Sequence, residues 1–477
     1  MLLDTERCYQ ALQAHDARFD GRFFVGVSST GIYCRPVCRA KTPRIANCRF
    51  FPSAAAAESS GFRPCIRCRP ELAPGNAAVD AGARLVQAAA GLIEDGLLID
   101  GSVEELAGQL GVTDRHLRRV FRTELGVSPV QFVQTQRLLL AKRLLTDTAM
   151  PVTDVAMASG FGSLRRFNTL FRTRYRLRPT DLRKAAGTVE QPGMLEFSLS
   201  YRPPLDWEAL LAFLARRTIA GVEHVQDGAY LRTAHVGTHT GWIAVMPDAT
   251  RAALRVAVSG SLSRAVPAVL ARVKRVFDLG CDPQRIGAAL GPLALRRPGL
   301  RLPGTFDGFE AAVRAILGQQ ITVRAAHTIA GRFAAAFGEP VEAPHAALHC
   351  VFPSAARVAA LAPSDIAQIG VVSARAKAII AIAAALHEGR LRLDPGADVD
   401  ATLRRLRELP GVGEWTAQYL AMRALGWPDA FPHTDYGVLK ALAEKDPGRA
   451  LAHAEQWRPW RAYAVIHLWN SLEDSHT

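Results

Sequence analysis

Residues Leu409 to Asp435 read LPGVGEWTAQYLAMRALGWPDAFPHTD, and this stretch decides how the C-terminal part of the chain is interpreted. Gly411 and Gly413 precede a helical run, so the backbone there can turn sharply with positive φ and offer N–H groups to an anion. The pattern predicts a hairpin that grips phosphate. Asp435 follows prolines that end the helix, so a carboxylate is expected shortly after the hairpin predicted to bind the DNA backbone. The alternative is a turn between two core helices with an ordinary capping aspartate.

The hairpin, the helix after it and Asp435 closely resemble the helix–hairpin–helix DNA glycosylases. Trp415, Tyr419 and Trp469 resemble the branch of that superfamily that acts on alkylated bases, the AlkA type. The resemblance implies that these aromatic side chains bind a flipped-out, positively charged base by stacking and cation–π attraction. It also implies that Asp435 stabilises the oxocarbenium character of the sugar and directs the attacking water. Without the resemblance, aromatic residues at helical spacing are more often part of a core.

One carboxylate suffices for this chemistry, because a base that is already cationic leaves as a neutral molecule without a general acid. Members of the superfamily that also cut the strand carry a lysine where this chain has Trp415, so a monofunctional enzyme of the DNA-3-methyladenine glycosylase II type is expected. An iron–sulfur cluster is not expected, because no cysteine follows Cys350. An alkali-metal ion at the hairpin is a further cofactor that the resemblance allows.

The stretch from Gly304 to Phe333 predicts a pair of amphipathic helices and resembles the opening of the family's catalytic domain. Gln319 matches a glutamine that faces DNA in that family. The next position is usually an apolar wedge, whereas this chain has Gln320. Either Gln320 or Ile321 is therefore expected to fill the gap that a flipped-out nucleotide leaves.

Length and charge extend the interpretation to the whole chain. The 477 residues predict three or four domains, and a net charge of +14 with a pI near 9.8 indicates a polyanionic partner, most simply DNA. No apolar run is long enough to cross a membrane and no secretion signal is evident, so a cytoplasmic location without membrane contact is expected. In a reducing compartment, the closely spaced cysteines are more typical of metal binding than of disulfides.

Two cysteine pairs, Cys34-x3-Cys38 and Cys65-x2-Cys68, fit a tetrahedral zinc site. A purely structural zinc is the alternative. The surrounding sequence, FFVGVSSTGIYCRPVCRAKTPR and SGFRPCIRCRPE, is similar to the N-terminal domain of the Ada adaptive-response regulators. That resemblance implies that Cys34 accepts a methyl group from a DNA phosphotriester. Basic residues are expected to hold the DNA backbone against it, namely Arg35, Arg39, Lys41 and Arg44.

An internal repeat of about 50 residues follows the cysteines. Each copy has an apolar helix, a glycine turn and a second helix with arginines on its outer face, a pattern typical of helix-turn-helix motifs. The second copy is similar to that of AraC-type regulators, which join their motifs by a long helix, here about Pro129 to Leu145. The expected DNA-contacting residues are Arg115, Arg118, Arg119, Arg165 and Arg166. A solvated basic helical bundle is the alternative.

The segment Lys184 to Gly193 is small, Pro/Gly-bearing and suited to a domain boundary. Strand-like and helical runs then alternate and predict an α+β domain, which AlkA-type glycosylases also have in this place. His224, His235 and His239 are too scattered for a metal site and are expected to be ordinary surface or core histidines. No catalytic group is therefore assigned to this domain.

Together these patterns predict a multidomain protein. Its parts are a small zinc-bound α/β module (1–75), an all-α double helix-turn-helix domain (80–185), an α+β domain (190–300) and an all-α helix–hairpin–helix glycosylase domain (301–477). The expected partners are double-stranded DNA, with alkylated bases, methyl phosphotriesters and promoter sites, and RNA polymerase. The Pro-Cys-His-Arg motif of alkylguanine transferases does not occur in the sequence. Two alternatives are a regulator whose glycosylase-like domain is inactive, and an enzyme whose N-terminal modules serve only as DNA tethers.

Overall fold

The computed structural model describes residues 4–74, 81–94, 102–148, 150–184 and 193–474. The chain forms two compact units. The N-terminal unit comprises Met1–Pro203, Asp248–Ala271 and Leu279–Asp282, and the C-terminal unit comprises Pro204–Pro247, Arg272–Asp278 and Pro283–Thr477. The predicted linker lies largely outside the described residues. Among the described residues, no helix has the length and apolar character that crossing a membrane requires.

The first part of the N-terminal unit is a small sheet with two helices, as the α/β prediction for the cysteine region requires. The strands lie in the order β3-β1-β2-β4; β1 is antiparallel to β2 and β3, and β2 is parallel to β4. Asp4 and Ser53 cap the two helices with side-chain oxygens, which satisfy N–H groups that a helix start leaves unpaired. The elements are α1 (Thr5–Gln13), β1 (Phe24–Val27), β2 (Ile32–Cys34), β3 (Cys48–Phe51), α2 (Ala54–Ser59) and β4 (Arg63–Pro64).

The described residues that follow form seven helices, in the order that the predicted duplicated motif requires. Gly111 and Gly160 have positive φ at the equivalent turns of the two copies, where a left-handed backbone favours glycine. The long connecting helix is present and is fixed at its start by a capping box between Ser128 and Gln131. The helices are α3 (Ala81–Glu94), α4 (Val103–Gln109), α5 (Asp114–Leu125), α6 (Pro129–Asp147), α7 (Val152–Ala158), α8 (Leu164–Tyr175) and α9 (Pro179–Lys184).

The zinc-module sheet and the first helix-turn-helix motif share one hydrophobic core. Phe24 and Phe51 from the sheet belong to the same buried cluster as Leu117 and Phe121 from α5. Burial of this shared apolar surface stabilises both parts together, since the hydrophobic effect scales with the area removed from water. The zinc module and the first helix-turn-helix motif therefore depend on the same core for part of their stability.

The next elements have the predicted α+β composition. Within the N-terminal unit, β5 pairs antiparallel with β9; within the C-terminal unit, β6, β7 and β8 form consecutive antiparallel pairs. The elements are β5 (Met194–Ser200), α10 (Trp207–Ala215), β6 (Glu223–Gln226), β7 (Ala229–Val236), β8 (His239–Pro247), β9 (Ala253–Ser259), α11 (Val266–Val276), α12 (Pro283–Leu290) and α13 (Pro292–Leu295).

The remaining residues of the C-terminal unit are mainly helical, with one two-residue strand pair. Helix α14 is almost fully buried and packs against α18 and α20, while α21 packs against α23. The elements are α14 (Gly308–Leu317), α15 (Val323–Phe337), β10 (Glu339–Pro340), β11 (Cys350–Val351), α16 (Ala355–Ala359), α17 (Pro363–Ala367), α18 (Ser373–His387), α19 (Val399–Glu408), α20 (Glu414–Arg423), α21 (Tyr436–Ala441), α22 (Pro447–Ala454) and α23 (Arg461–Asp474).

Candidate active site and metal centre

The predicted hairpin lies between α19 and α20. Gly411 has a φ of +76°, and a Cβ atom at this position would lie 2.9 Å from the Cβ of Ala378, so only glycine fits without a shift. The Gln319 side-chain amide donates hydrogen bonds to the Gly411 carbonyl at 2.9 Å and to the Thr416 hydroxyl at 3.0 Å. The end of α14 therefore holds the hairpin at the start of α20.

Asp435 is half-buried and receives three hydrogen bonds. As the N-cap of α21 it accepts the Val438 N–H on Oδ1 at 2.9 Å. The Trp469 indole N–H donates to the same oxygen at 2.9 Å, and the Trp415 indole N–H donates to Oδ2 at 2.8 Å. Because both carboxylate oxygens have donors from different elements, the carboxylate is held in one orientation.

The structure gives the predicted pocket aromatics an additional role. Trp415 and Tyr419 lie on one face of α20, as expected, and their rings stack at 5.1 Å between centroids and 15° between planes. Trp415 and Trp469 also use their N–H edges to orient Asp435. These two tryptophans thus fix the orientation of the Asp435 carboxylate.

Phe213 and Gly437 are among the residues at this site that the sequence did not predict. Phe213 on α10 lies nearly parallel to Trp469, with 6.4 Å between ring centroids and 13° between planes. Gly437 lets Trp469 approach Asp435, because a Cβ there would be 3.0 Å from Trp469 Cδ1 and 3.1 Å from Asp435 Oδ1. Only the fold reveals Phe213, since nothing in its local sequence differs from a core phenylalanine. The glycine two positions after Asp435 was a readable signal.

Opposite charges border the aromatic pocket. The Arg423 guanidinium donates to the Tyr419 hydroxyl at 2.9 Å and lies 5.0 Å from the Phe213 ring centroid, while that of Arg217 lies 3.8 Å from the same ring. Burial raises the pKa of Tyr419, but the neighbouring guanidiniums outweigh burial and the pKa lies below its ordinary value. The aromatic cluster therefore contacts a carboxylate at its two tryptophans and guanidinium groups at Tyr419 and Phe213.

The turn between α14 and α15 carries the two wedge candidates. Gln320 is exposed and has a φ of +54°, whereas Ile321 is half-buried. A left-handed backbone at a residue other than glycine costs about 1–3 kcal/mol and persists only where the surroundings impose it. Here Arg375 donates to the carbonyl of Gln319, and the Gln319 side chain is bound to the hairpin. The structure thus presents Gln320 at the tip of an anchored turn.

The four predicted zinc ligands come together in the N-terminal unit. The sulfur atoms of Cys34, Cys38, Cys65 and Cys68 all lie within 4.8 Å of one another, which fits a tetrahedral thiolate site for zinc. The Arg35 backbone N–H donates to the Cys68 sulfur at 3.4 Å, so the loop after Cys34 is bound to the second cysteine pair.

The basic residues around this site differ in exposure. The side chains of Arg39, Lys41 and Arg44 are exposed, as a role in holding DNA requires. Arg35 is buried instead: its guanidinium donates to both oxygens of Asp20 and, at 3.1 Å, to the Cys68 carbonyl. Arg35 therefore links the segment after Cys34 to Asp20 and to Cys68. Its burial corrects the expectation that Arg35 contacts the DNA backbone.

The arginines of the two predicted recognition helices lie at the surface. Arg115 and Arg119 on α5 and Arg165 and Arg166 on α8 are exposed. Arg118 is half-buried, because it forms an ion pair with Asp114 one turn earlier at 2.8 Å. The two helices thus present positive charge at equivalent positions.

Family models match successive parts of the chain. The model for the metal binding domain of Ada matches residues 7–71, and a helix-turn-helix domain matches 106–185. The AlkA N-terminal domain matches 196–307, and the HhH-GPD superfamily of base excision DNA repair proteins matches 313–443. Their order along the chain is that of the four predicted domains.

A probable bifunctional transcriptional activator/DNA repair enzyme, AlkA of Mycobacterium tuberculosis, is 42% identical over 489 residues, which cover 98% of this chain and 97% of the relative. The chain belongs to this bifunctional family. DNA-3-methyladenine glycosylase 2 of Escherichia coli is 38% identical over 57% of the chain and 96% of its own length. AdaA of Bacillus subtilis, a bifunctional transcriptional activator/DNA repair enzyme, is 30% identical over 39% of the chain and 86% of its own length.

A solved structure shows the same fold in the C-terminal part. The 3-methyladenine DNA-glycosylase from Archaeoglobus fulgidus has a TM-score of 0.50 and 19% identity, with 57% of this chain and 97% of that protein covered. The family's helix–hairpin–helix glycosylase architecture is therefore present here.

Proposed function

We propose that the C-terminal unit is a monofunctional glycosylase that removes N-alkylated bases of the 3-methyladenine type from double-stranded DNA by hydrolysis. One observation carries this proposal: Trp415 and Trp469, from different helices, donate hydrogen bonds to the two oxygens of the Asp435 carboxylate. A merely capping aspartate needs only the Val438 N–H. The alternative of a regulator with an inactive glycosylase domain is disfavoured by this complete arrangement.

The chain's residues divide the reaction between them. Gly411 and Gly413 bind the DNA backbone, and Gln320 at the anchored turn fills the gap left by the flipped-out nucleotide. The flipped-out base stacks against the aromatic side chains. Asp435 stabilises the positive charge that develops on the sugar and accepts a proton from the attacking water. The C–N bond breaks with its electron pair on the cationic base, which leaves neutral.

The test is excision from duplexes that carry 3-methyladenine, 7-methylguanine or hypoxanthine. Asp435→Asn should lower the rate about 100-fold or more while DNA binding persists, because the amide keeps the shape but loses the charge. Asp446→Asn is a matched control, since Asp446 caps α22 through the Gly448 N–H at 2.7 Å without an indole donor among the contacts described. Near wild-type excision by Asp435→Asn would disprove the mechanism.

The product is an abasic site in an uncut strand, since Trp415 stands where a Schiff-base lysine would be needed. Borohydride treatment during the reaction should trap no covalent adduct between protein and DNA. A trapped adduct would show lyase activity and contradict the monofunctional assignment.

In the N-terminal unit, Cys34 accepts a methyl group from a DNA methyl phosphotriester. Its sulfur attacks the methyl carbon, the C–O bond breaks, and the phosphodiester leaves with the negative charge, so Cys34 becomes a thioether. Zinc, when bound, keeps the four thiols deprotonated at neutral pH. Arg39, Lys41 and Arg44 hold the phosphate backbone.

The helix-turn-helix motifs give this unit its regulatory role. The exposed arginines of α5 and α8 bind a promoter, and methylation of Cys34 makes the net charge of a four-thiolate zinc site less negative by one unit. The module then repels DNA less, so promoter affinity rises in a salt-dependent way. RNA polymerase is the partner that such an activator would recruit.

A further inference from the structure

A buried carboxylate lies between the zinc module and the helix-turn-helix motifs. Glu58, in α2, is 3% exposed and accepts hydrogen bonds from three hydroxyl groups. Its Oε1 accepts the Tyr33 hydroxyl at 3.0 Å and the Tyr175 hydroxyl at 3.3 Å, while its Oε2 accepts the Thr135 hydroxyl at 3.0 Å. A glutamate with so little exposure is uncommon, and its hydrogen bonds are costly to lose.

On one side, this carboxylate connects to the metal site. Tyr33 is fully buried in β2 and directly precedes Cys34. Its carbonyl accepts the Cys65 N–H at 3.0 Å, so the Tyr33 backbone adjoins two of the four ligands. Any rearrangement of the Cys34 and Cys65 sulfurs therefore acts on the strand that carries the Tyr33 ring.

On the other side, the carboxylate connects to the second DNA-reading motif. Tyr175 is the last residue of α8, the helix whose first turn carries Arg165 and Arg166. The neighbouring Arg174 guanidinium donates to the Glu58 carbonyl at 3.2 Å, so both residues at this end of α8 are bound to the same turn of α2. Thr135 adds α6, the helix that joins the two motifs.

The shared oxygen makes the two tyrosines interdependent. Both hydroxyls donate to Glu58 Oε1. A shift of Tyr33 therefore changes the position and the charge density of the oxygen to which Tyr175 donates. The surrounding aromatic core of Phe171 and Tyr175, with rings 4.9 Å apart, is close-packed and transmits such a shift rather than absorbing it.

We propose that Glu58 couples the methylation state of Cys34 to the second helix-turn-helix motif, through Tyr33 on one side and Tyr175 on the other. This device rests on the proposed methyl transfer and adds a mechanical route to the electrostatic one. The electrostatic route, in which methylation of Cys34 makes the zinc site less negative, acts only on DNA close to the zinc module. The Glu58 route changes how α8 is held, and so affects bases read by Arg165 and Arg166.

The experiment compares full-length wild type with Tyr175→Phe and Tyr33→Phe, each of which removes one hydroxyl and keeps the ring. Tyr9→Phe is the matched control: its hydroxyl donates to the Pro43 carbonyl at 3.0 Å, within the zinc module but away from Glu58. Each chain is methylated with a duplex that carries methyl phosphotriesters, and mass spectrometry of the Cys34 peptide measures completion. Affinity is then measured for a duplex selected from a random-sequence pool by the methylated wild-type chain.

In the wild type, methylation should raise affinity about tenfold, within the usual range of coupling between sites. Tyr175→Phe and Tyr33→Phe should accept the methyl group and reduce the gain to about twofold or less, whereas Tyr9→Phe should keep the wild-type gain. A wild-type gain in Tyr175→Phe would overturn the Glu58 route and leave the electrostatic switch standing. Complete methylation of the wild type without any gain would overturn both routes but not the repair function. Absence of the mass increase would disprove the methyl transfer itself, together with this coupling.

Discussion

At the scale of single residues, a capping aspartate and a catalytic aspartate have the same local sequence signature, and Asp435 has the geometry of both. Its Oδ1 accepts the Val438 N–H as an ordinary N-cap does. What distinguishes it is the pair of indole donors, one from α20 and one from α23. The capping bond fixes the backbone, and the indole bonds fix the carboxylate plane against the pocket.

The indole donors make a residue-level prediction. Trp469→Phe should lower the excision rate about tenfold, because one hydrogen bond to a charged group, worth about 1.5–3 kcal/mol, no longer orients the carboxylate. Trp207→Phe is the control, since it removes an indole bond to the Gly228 carbonyl outside the pocket. Single-turnover kinetics on a 3-methyladenine duplex provide the measurement. Equal rates for the two variants would show that the Trp469 hydrogen bond has no role in the reaction.

Glu58 makes a prediction about pH. Burial raises its pKa from 4.5 to about 7, against the opposing effects of Thr135, Tyr33, Arg174 and Tyr175. Because the folded state binds this proton more tightly, its contribution to stability is complete below about pH 4.5 and is lost as pH rises through about 7, in total about 3 kcal/mol. From about pH 6 to about pH 8.5 the remaining loss is about 1 kcal/mol.

Glu58→Gln should remove this pH dependence, because an amide does not titrate. Hydrogen exchange of the α2 and α6 peptides in the full chain gives the opening free energy of these helices at about pH 6 and about pH 8.5. The opening free energy should fall more steeply with pH in the wild type than in Glu58→Gln. Equal falls in the two chains would show that Glu58 is not the titrating group.

At the scale of elements, the hairpin depends on one glycine conformation. Gly411→Ala places a Cβ 2.9 Å from Ala378 in a left-handed backbone, so the hairpin must shift. DNA affinity at fixed salt should fall about tenfold, equivalent to about 1.4 kcal/mol. Gly389→Ala is the control, because Gly389 also has a positive φ of +71° but nothing lies within 4 Å of its Cβ position. Equal affinity losses in the two variants would indicate general strain rather than a role of the hairpin.

At the scale of the whole molecule, each proposed reaction is built within one compact unit. The four cysteines lie in the N-terminal unit, and Asp435, Trp415, Trp469 and Phe213 lie in the C-terminal unit. The two activities are therefore expected to be separable by mutation.

Cys34→Ser should abolish methyl transfer and leave base excision within about twofold of wild type, since no atom of the pocket changes. Asp435→Asn should have the reverse effect. Both variants are assayed on one duplex that carries a methyl phosphotriester and a 3-methyladenine, by peptide mass and by base release. Loss of both activities in either variant would contradict the independence of the units.

Much of this architecture could be predicted from the sequence, because the relevant signals are local. The Cys34-x3-Cys38 and Cys65-x2-Cys68 pairs, the duplicated glycine turns and the Gly411 hairpin each depend on neighbours within a few residues. Such spacings restrict ligand geometry and backbone conformation directly. The zinc site follows from the cysteine spacing, while the helix–hairpin–helix fold and the candidate carboxylate Asp435 follow from the resemblance that the hairpin carries.

Only the tertiary structure decided which distant side chains meet. It buried Arg35 against Asp20, laid Phe213 beside Trp469 and joined Tyr33 to Tyr175 through Glu58. Sequence periodicity shows which face of an element is buried but not which partner it finds, because the partner is selected by close packing of the whole core. For the same reason the resemblance could suggest a base-binding role for Trp415 and Trp469, whereas their hydrogen bonds to Asp435 required the assembled fold.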